Sequence, residues 1–212
     1  LAEFSTVTLL YTAHLAGEIA LLPRLFTLIK QARRTANGPV VLLDLGDTCS
    51  GESWICRATQ GRAPFLVLDS MGYDGAVIGG PEQVPIPPSS LRRLLGNMMM
   101  PVILWNRAFQ ITRQEITFTI APGNAPLPDQ APGIRIDRST DGLPDANDPV
   151  PTLGDVAQGD LARVDMAWPE WTIKSARLIK VEPNTPIDPT IAAVVELVEN
   201  EARYYAQQGG NP

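Results

Sequence analysis

VVLLDLGD, residues 40–47, is the stretch on which the fold turns. The run from Val40 to Leu45 reads as a strand covered by structure on both faces. Gly46 and Asp47 then leave the strand for a loop. Immediately upstream, Asn37-Gly38-Pro39 stops a helix. That helix begins near Ile19 and carries Leu22, Leu25, Phe26 and Ile29 on one stripe, with Arg24, Lys30, Arg33 and Arg34 elsewhere. Before it, Val7 to Tyr11 is a short apolar strand, broken by Gly17. The β-helix-β order predicts a parallel pair joined by a right-handed crossover.

Working downstream, Pro64 to Met71 reads as a helix ending at Gly72, and Asp74 to Ile78 as the next strand, ending in Gly79-Gly80-Pro81. A proline-rich connection leads to a short helix near Ser90 to Leu95 and a fourth strand at Pro101 to Leu104. This alternation is the pattern of an α/β core. Ile111 to Ile120 reads as one further strand. Residues 121–160, rich in Pro, Gly and Asp, read as an irregular surface excursion. Order returns with a hairpin of Ala162 to Trp168 and Ile173 to Val181, its Trp168 and Trp171 expected in the core. A terminal helix follows from Pro189 to Gln207, with Asp188 as its cap. No repeat is visible, and residues 1–212 read as a single domain.

Composition narrows the function. The net charge of −6, from 17 basic and 23 acidic side chains, works against nucleic acid and anionic membrane surfaces. No apolar stretch reaches the roughly 18–20 residues of a spanning helix. Cys49 and Cys56 are the only cysteines; a short-range disulfide and two reduced thiols both fit. Leu1 is not an initiator methionine and is compatible with a removed signal segment, so localisation stays open between cytoplasm and export.

Three loops follow the predicted strands: Thr12-Ala13-His14-Leu15-Ala16-Gly17, Asp44-Leu45-Gly46-Asp47 and Gly79-Gly80-Pro81-Glu82. Their order and spacing resemble the active-site framework of the calcineurin-like metallophosphoesterases, in particular the bacterial 5′-nucleotidase and 2′,3′-cyclic phosphodiesterase group. There the loops read like TNDLHG, DAGD and GNHE. Pro101 to Asn106 is similar to the strand that follows. The stretch Val156-Ala157-Gln158-Gly159 with Leu161 to Trp168 is similar to the strands after the family's GHTH-type motif.

The resemblance implies a four-layer α-β-β-α sandwich of the metallo-dependent phosphatase type, here reduced in size. It also implies a depleted site. The family's first metal-binding Asp falls on His14 and its His on Ala16. Asp47 matches the carboxylate that bridges two metals. Gly80 stands for the metal-binding Asn and Pro81 for the catalytic His, beside Glu82. A two-metal phosphoesterase needs a bridging carboxylate plus several His, Asn or Asp donors, and His14 is the chain's only histidine.

The expectation is therefore a non-catalytic protein with a binding or structural role, toward a protein partner or a small anionic ligand, with no cofactor. The alternative is a rebuilt phosphomonoesterase or phosphodiesterase acting on nucleotide-like substrates through His14 and Asp47, with one divalent ion (Mn, Zn or Mg) on those two residues. The remaining site positions are Asp44, Gly80, Pro81, Glu82 and Asn106. Asp137, Asp141, Asp145, Asp148, Asp155 and Asp160 lack the spacing of a calcium loop and read as a solvated acidic stretch.

Overall fold

The computed structural model describes residues 5–79, 89, 92, 96, 98–127 and 132–208. Two sheets stack face to face. The first, sheet A, holds six strands in the order β10-β9-β1-β2-β3-β4, and the second, sheet B, four in the order β5-β6-β7-β8.

In sheet A, β1 (Thr6–Thr12), β2 (Val40–Asp44), β3 (Gly75–Ile78) and β4 (Val102–Leu104) run parallel. The register of β1 on β2 runs from Thr8 opposite Val40 to Thr12 opposite Asp44. Between them lie a short 3-10 turn, Ile19–Leu21, and helix α1, Leu22–Arg34, as the sequence predicts. Helices α2 (Trp54–Ala58) and α3 (Arg62–Ser70) connect β2 to β3. The antiparallel strands β9 (Asp160–Ala167) and β10 (Ile173–Lys180) complete the sheet beside β1. Helix α4, Pro189–Gln207, starts from Asp188, whose carboxylate accepts the N–H groups of Thr190 and Ile191 at 3.0 Å each.

Strand alternation sends each face of sheet A to a different core. Leu10, Leu42, Ala76 and Leu161 meet Leu25, Ile29, Phe65, Leu68, Val195 and Ala202 of the helices. Leu9, Tyr11, Val41, Leu43, Val77 and Val164 meet Phe118, Ile120, Ile134, Ile136 and Leu153 of sheet B. The architecture is the two-sheet α/β arrangement of the metallo-dependent phosphatase type. Among the described residues the helices α1 to α4 pack on sheet A. The far side of sheet B carries Gln110, Thr112, Thr117 and Arg135 on alternating positions.

Sheet B differs from the sequence reading in two ways. The strand expected at Ile111 to Ile120 is a hairpin of β5 (Phe109–Arg113) and β6 (Ile116–Pro122). Its two-residue turn, Gln114-Glu115, has positive φ at both positions (46° and 71°), a hairpin geometry that usually selects Gly or Asn, so the sequence gives no turn signal there. The stretch 121–160 is not irregular throughout. It contains β7 (Gly133–Asp141) and β8 (Thr152–Asp155), both parallel to their neighbours. In β7, Ile134 and Ile136 alternate with Arg135 and Asp137, a period of two interrupted by polar residues and flanked by prolines. Cys49 and Cys56 form a disulfide. Among the expected site residues, Gly80, Pro81 and Glu82 lie outside the described residues, as does most of the stretch Ser90 to Leu95.

Candidate functional site

The parallel register brings the loops after β1 and β2 side by side at the carboxyl ends of those strands, where open α/β sheets place their ligand crevices. Backbone bonds continue the pairing into the loops. Leu45 N–H donates to Thr12 at 2.8 Å, His14 N–H to Gly46 at 3.0 Å, and Ala16 N–H to Asp47 at 2.8 Å. His14, Ala16 and Asp47 all adopt positive φ, at 54°, 51° and 51°. Such a backbone costs non-glycine residues of order 1–3 kcal/mol each and persists where the surroundings enforce it.

Beneath this crevice lies Asp44. Its side chain is fully buried. It accepts hydrogen bonds from the Thr12 hydroxyl (2.9 Å), the Thr48 hydroxyl (2.6 Å) and the Gly46 N–H (3.2 Å). Thr12 gives its single proton to Asp44, so the Tyr73 hydroxyl, 3.1 Å away, donates to Thr12. Burial raises the Asp44 carboxyl to about 6, against the opposing pull of Thr48, Thr12, the Gly46 N–H and Arg138. Burial, then Asp44, also pushes Tyr73 up. Asp44 thus ties the two loops together from below and does not face the crevice as a ligand.

Above it, four charged or titratable side chains meet. His14 points Nδ1 at Asp47 Oδ2 (3.1 Å) and Nε2 at Asp155 Oδ2. Arg138 donates from one terminal nitrogen to Asp47 Oδ2, and its Nε lies 3.7 Å from Asp155 Oδ1. The same terminal nitrogen is 3.4 to 3.5 Å from the His14 ring nitrogens. His14 and Asp47 come from sheet A; Arg138 and Asp155 come from β7 and β8 of sheet B. Burial, then Asp155, pushes the Tyr11 hydroxyl up.

The sequence reading brings His14 and Asp47 together, and the structure has them in contact. The sequence gives no signal for Arg138 and reads Asp155 as part of a solvated acidic stretch; the structure instead sets both against His14 and Asp47. Asp155 directly precedes the Val156 to Gly159 segment that resembles the region after the last family motif, which was the available signal. Asn106 lies elsewhere in the hydrogen-bond scheme: its Oδ1 accepts the Asn124 N–H at 3.0 Å in the loop after β6.

Neither a protein-family model nor a curated protein sequence matches the chain. Solved structures do. A putative 5′-nucleotidase from Staphylococcus aureus superposes with a TM-score of 0.59 at 14% identity, covering 92% of this chain and 58% of its own. The Haemophilus influenzae NAD nucleotidase gives 0.58 at 10% identity, covering 96% and 61%. This chain has the metallophosphoesterase fold. A phosphatase from Mycoplasma pneumoniae agrees, with a TM-score of 0.53 at 8% identity over 90% of this chain and 97% of its own. The chain spans about three fifths of the length of the first two structures.

For a divalent cation, the donor set among the described residues is poorly arranged. The imidazole sits between the two carboxylates with its nitrogens facing opposite ways, so one ion does not reach all three side chains. Asp47 Oδ2 is already engaged by a guanidinium. Among the described residues no three His, Cys, Asp or Glu side chains converge on a common metal position. These residues do not fit a metal pair.

Proposed function

We propose that the chain is a non-catalytic protein on a metallophosphoesterase fold, with a binding or structural role. The observation that carries this reading is the engagement of Asp47, the one carboxylate matching a metal-bridging position, by Arg138 and His14. A bridging carboxylate gives its charge to cations, and here Asp47 Oδ2 already serves a guanidinium and an imidazole. Ala16 and, in sequence, Pro81 add no donors. No cofactor is required in this reading. Two carboxylates face one guanidinium at the crevice, which favours a protein partner over a small anion. No helix among the described residues is long and apolar enough to cross a membrane.

The second reading, a rebuilt phosphomonoesterase or phosphodiesterase on nucleotide-like substrates, draws on His14. An imidazole oriented by carboxylates is the usual form of a general base. A phosphatase assay with generic mono- and diester substrates and added manganese separates the readings. The non-catalytic reading expects the wild type to match His14→Ala and Asp47→Ala at background. Turnover that is lost in both variants overturns it.

A further inference from the structure

We infer that Arg138 is a resident cation, built into the chain at the place where this fold's carboxylates gather positive charge. The inference deepens the non-catalytic reading; its test reads stability and metal response instead of turnover, so the two fail separately. Arg138 continues the inward series of β7: Ile134 and Ile136 face sheet A, and Arg138 is the next residue on that side. Its side chain is 6% exposed. A guanidinium so little exposed calls for anionic partners. Asp47 arrives from the loop after β2 and Asp155 from the end of β8, where Leu153 marks the same inward face. The planar fork of arginine matches a divided pair of carboxylates better than a compact ammonium does.

One neighbour, Gly46, leaves room for the guanidinium. A side chain begun at Gly46 would meet Arg138 Nη1 at 3.4 Å, and the positive φ of 122° there disfavours any such side chain. The cluster joins the two sheets through charge at the mouth of their shared apolar core. A divalent ion at Asp47 would sit against the guanidinium and be repelled by it. Arg138 therefore does two things: it neutralises Asp47 and Asp155, and it keeps metal ions from them.

Thermal unfolding of the full chain, with chelator and with excess manganese chloride, tests this. The wild type is expected to unfold at the same temperature in both. Arg138→Met is expected to lower Tm by roughly 5–10 °C, and manganese is expected to recover part of that loss, because the carboxylates are then uncompensated. Asp47→Asn should cost less in the Arg138→Met background than in the wild type, as coupled partners do. An Arg138→Met protein with wild-type Tm, a variant that gains nothing from manganese, or a wild type that gains as much as the variant would each overturn the inference. If Arg138→Met is not recovered folded, the Asp47→Asn/Arg138→Met double variant decides: recovery in folded form supports the charge account, and failure of the double variant as well overturns it.

Discussion

Arg138 of the second sheet donates to Asp47 of the first, across 91 positions of sequence. The contact links the loop after β2 to the inward face of β7, and with His14 and Asp155 it makes one cluster of charge at the carboxyl ends of β1 and β2. What lies around that cluster is built to hold it: the paired loops, the buried Asp44 beneath, and a disulfide just beyond Thr48.

Asp44 gives the first prediction. Its carboxyl is raised to about 6 in the folded protein, above the ~3.9 of an unfolded chain. The folded state therefore holds this proton more tightly. The group's contribution to stability is full below about pH 4 and is lost as pH rises through 6. Asp44→Asn carries no such titration. Its destabilisation relative to wild type is expected to be largest near pH 4 and to shrink by about 3 kcal/mol by pH 8. Denaturant unfolding of both proteins across that range measures it; a penalty independent of pH would contradict the raised carboxyl.

The disulfide gives the second. Cys49 and Cys56 are separated by 7 positions, and a loop of that size restricts the unfolded chain by about 2–3 kcal/mol. Both residues are buried, and Cys56 packs against Gly17 in the loop that carries His14. The Cys49→Ser/Cys56→Ser variant is expected to unfold about 5–10 °C lower than the oxidised protein. Reductant should lower the wild type toward it and leave the variant unmoved.

The third concerns the terminal helix. Asp188 caps α4 and pairs with Lys30 of α1 at 2.5 Å. The Lys30 bond, then the Ile191 N–H, hold its carboxyl below the usual range. This depressed group stabilises the fold above the unfolded carboxylate range, and that stability is lost as pH falls through its folded value. Asp188→Ala is expected to cost about 1 kcal/mol from the cap alone at neutral pH, and less in acid. Equal cost at both pH values would place its role outside the cap and the ion pair.

Much of the fold was legible because its signals are local. The α1 stripe, the apolar β2, the β9–β10 hairpin and the Asp188 cap each announce themselves within a few residues. The parallel order of β1 and β2 followed from the helix between them. Sheet B was harder. The β5–β6 turn uses Gln114 and Glu115 where glycine or asparagine is usual, and β7 and β8 sit among prolines and aspartates that suggest loop. Of the site, His14 and Asp47 could be paired because adjacent parallel strands place their loops together. Arg138 and Asp155 could not: nothing in RIDR or LGD marks an inward charge until the partner sheet is known. An Arg in a strand reads as solvent-facing unless a buried carboxylate from a distant segment awaits it.

Under the non-catalytic reading a guanidinium, and not a pair of divalent ions, balances Asp47. Metal analysis of the purified wild-type chain, followed by calorimetric titration with manganese and zinc at neutral pH and repeated on Asp47→Ala, tests it most directly. No stoichiometric metal and no saturable heat are expected in either protein. Stoichiometric ions in the wild type that disappear in Asp47→Ala would contradict it.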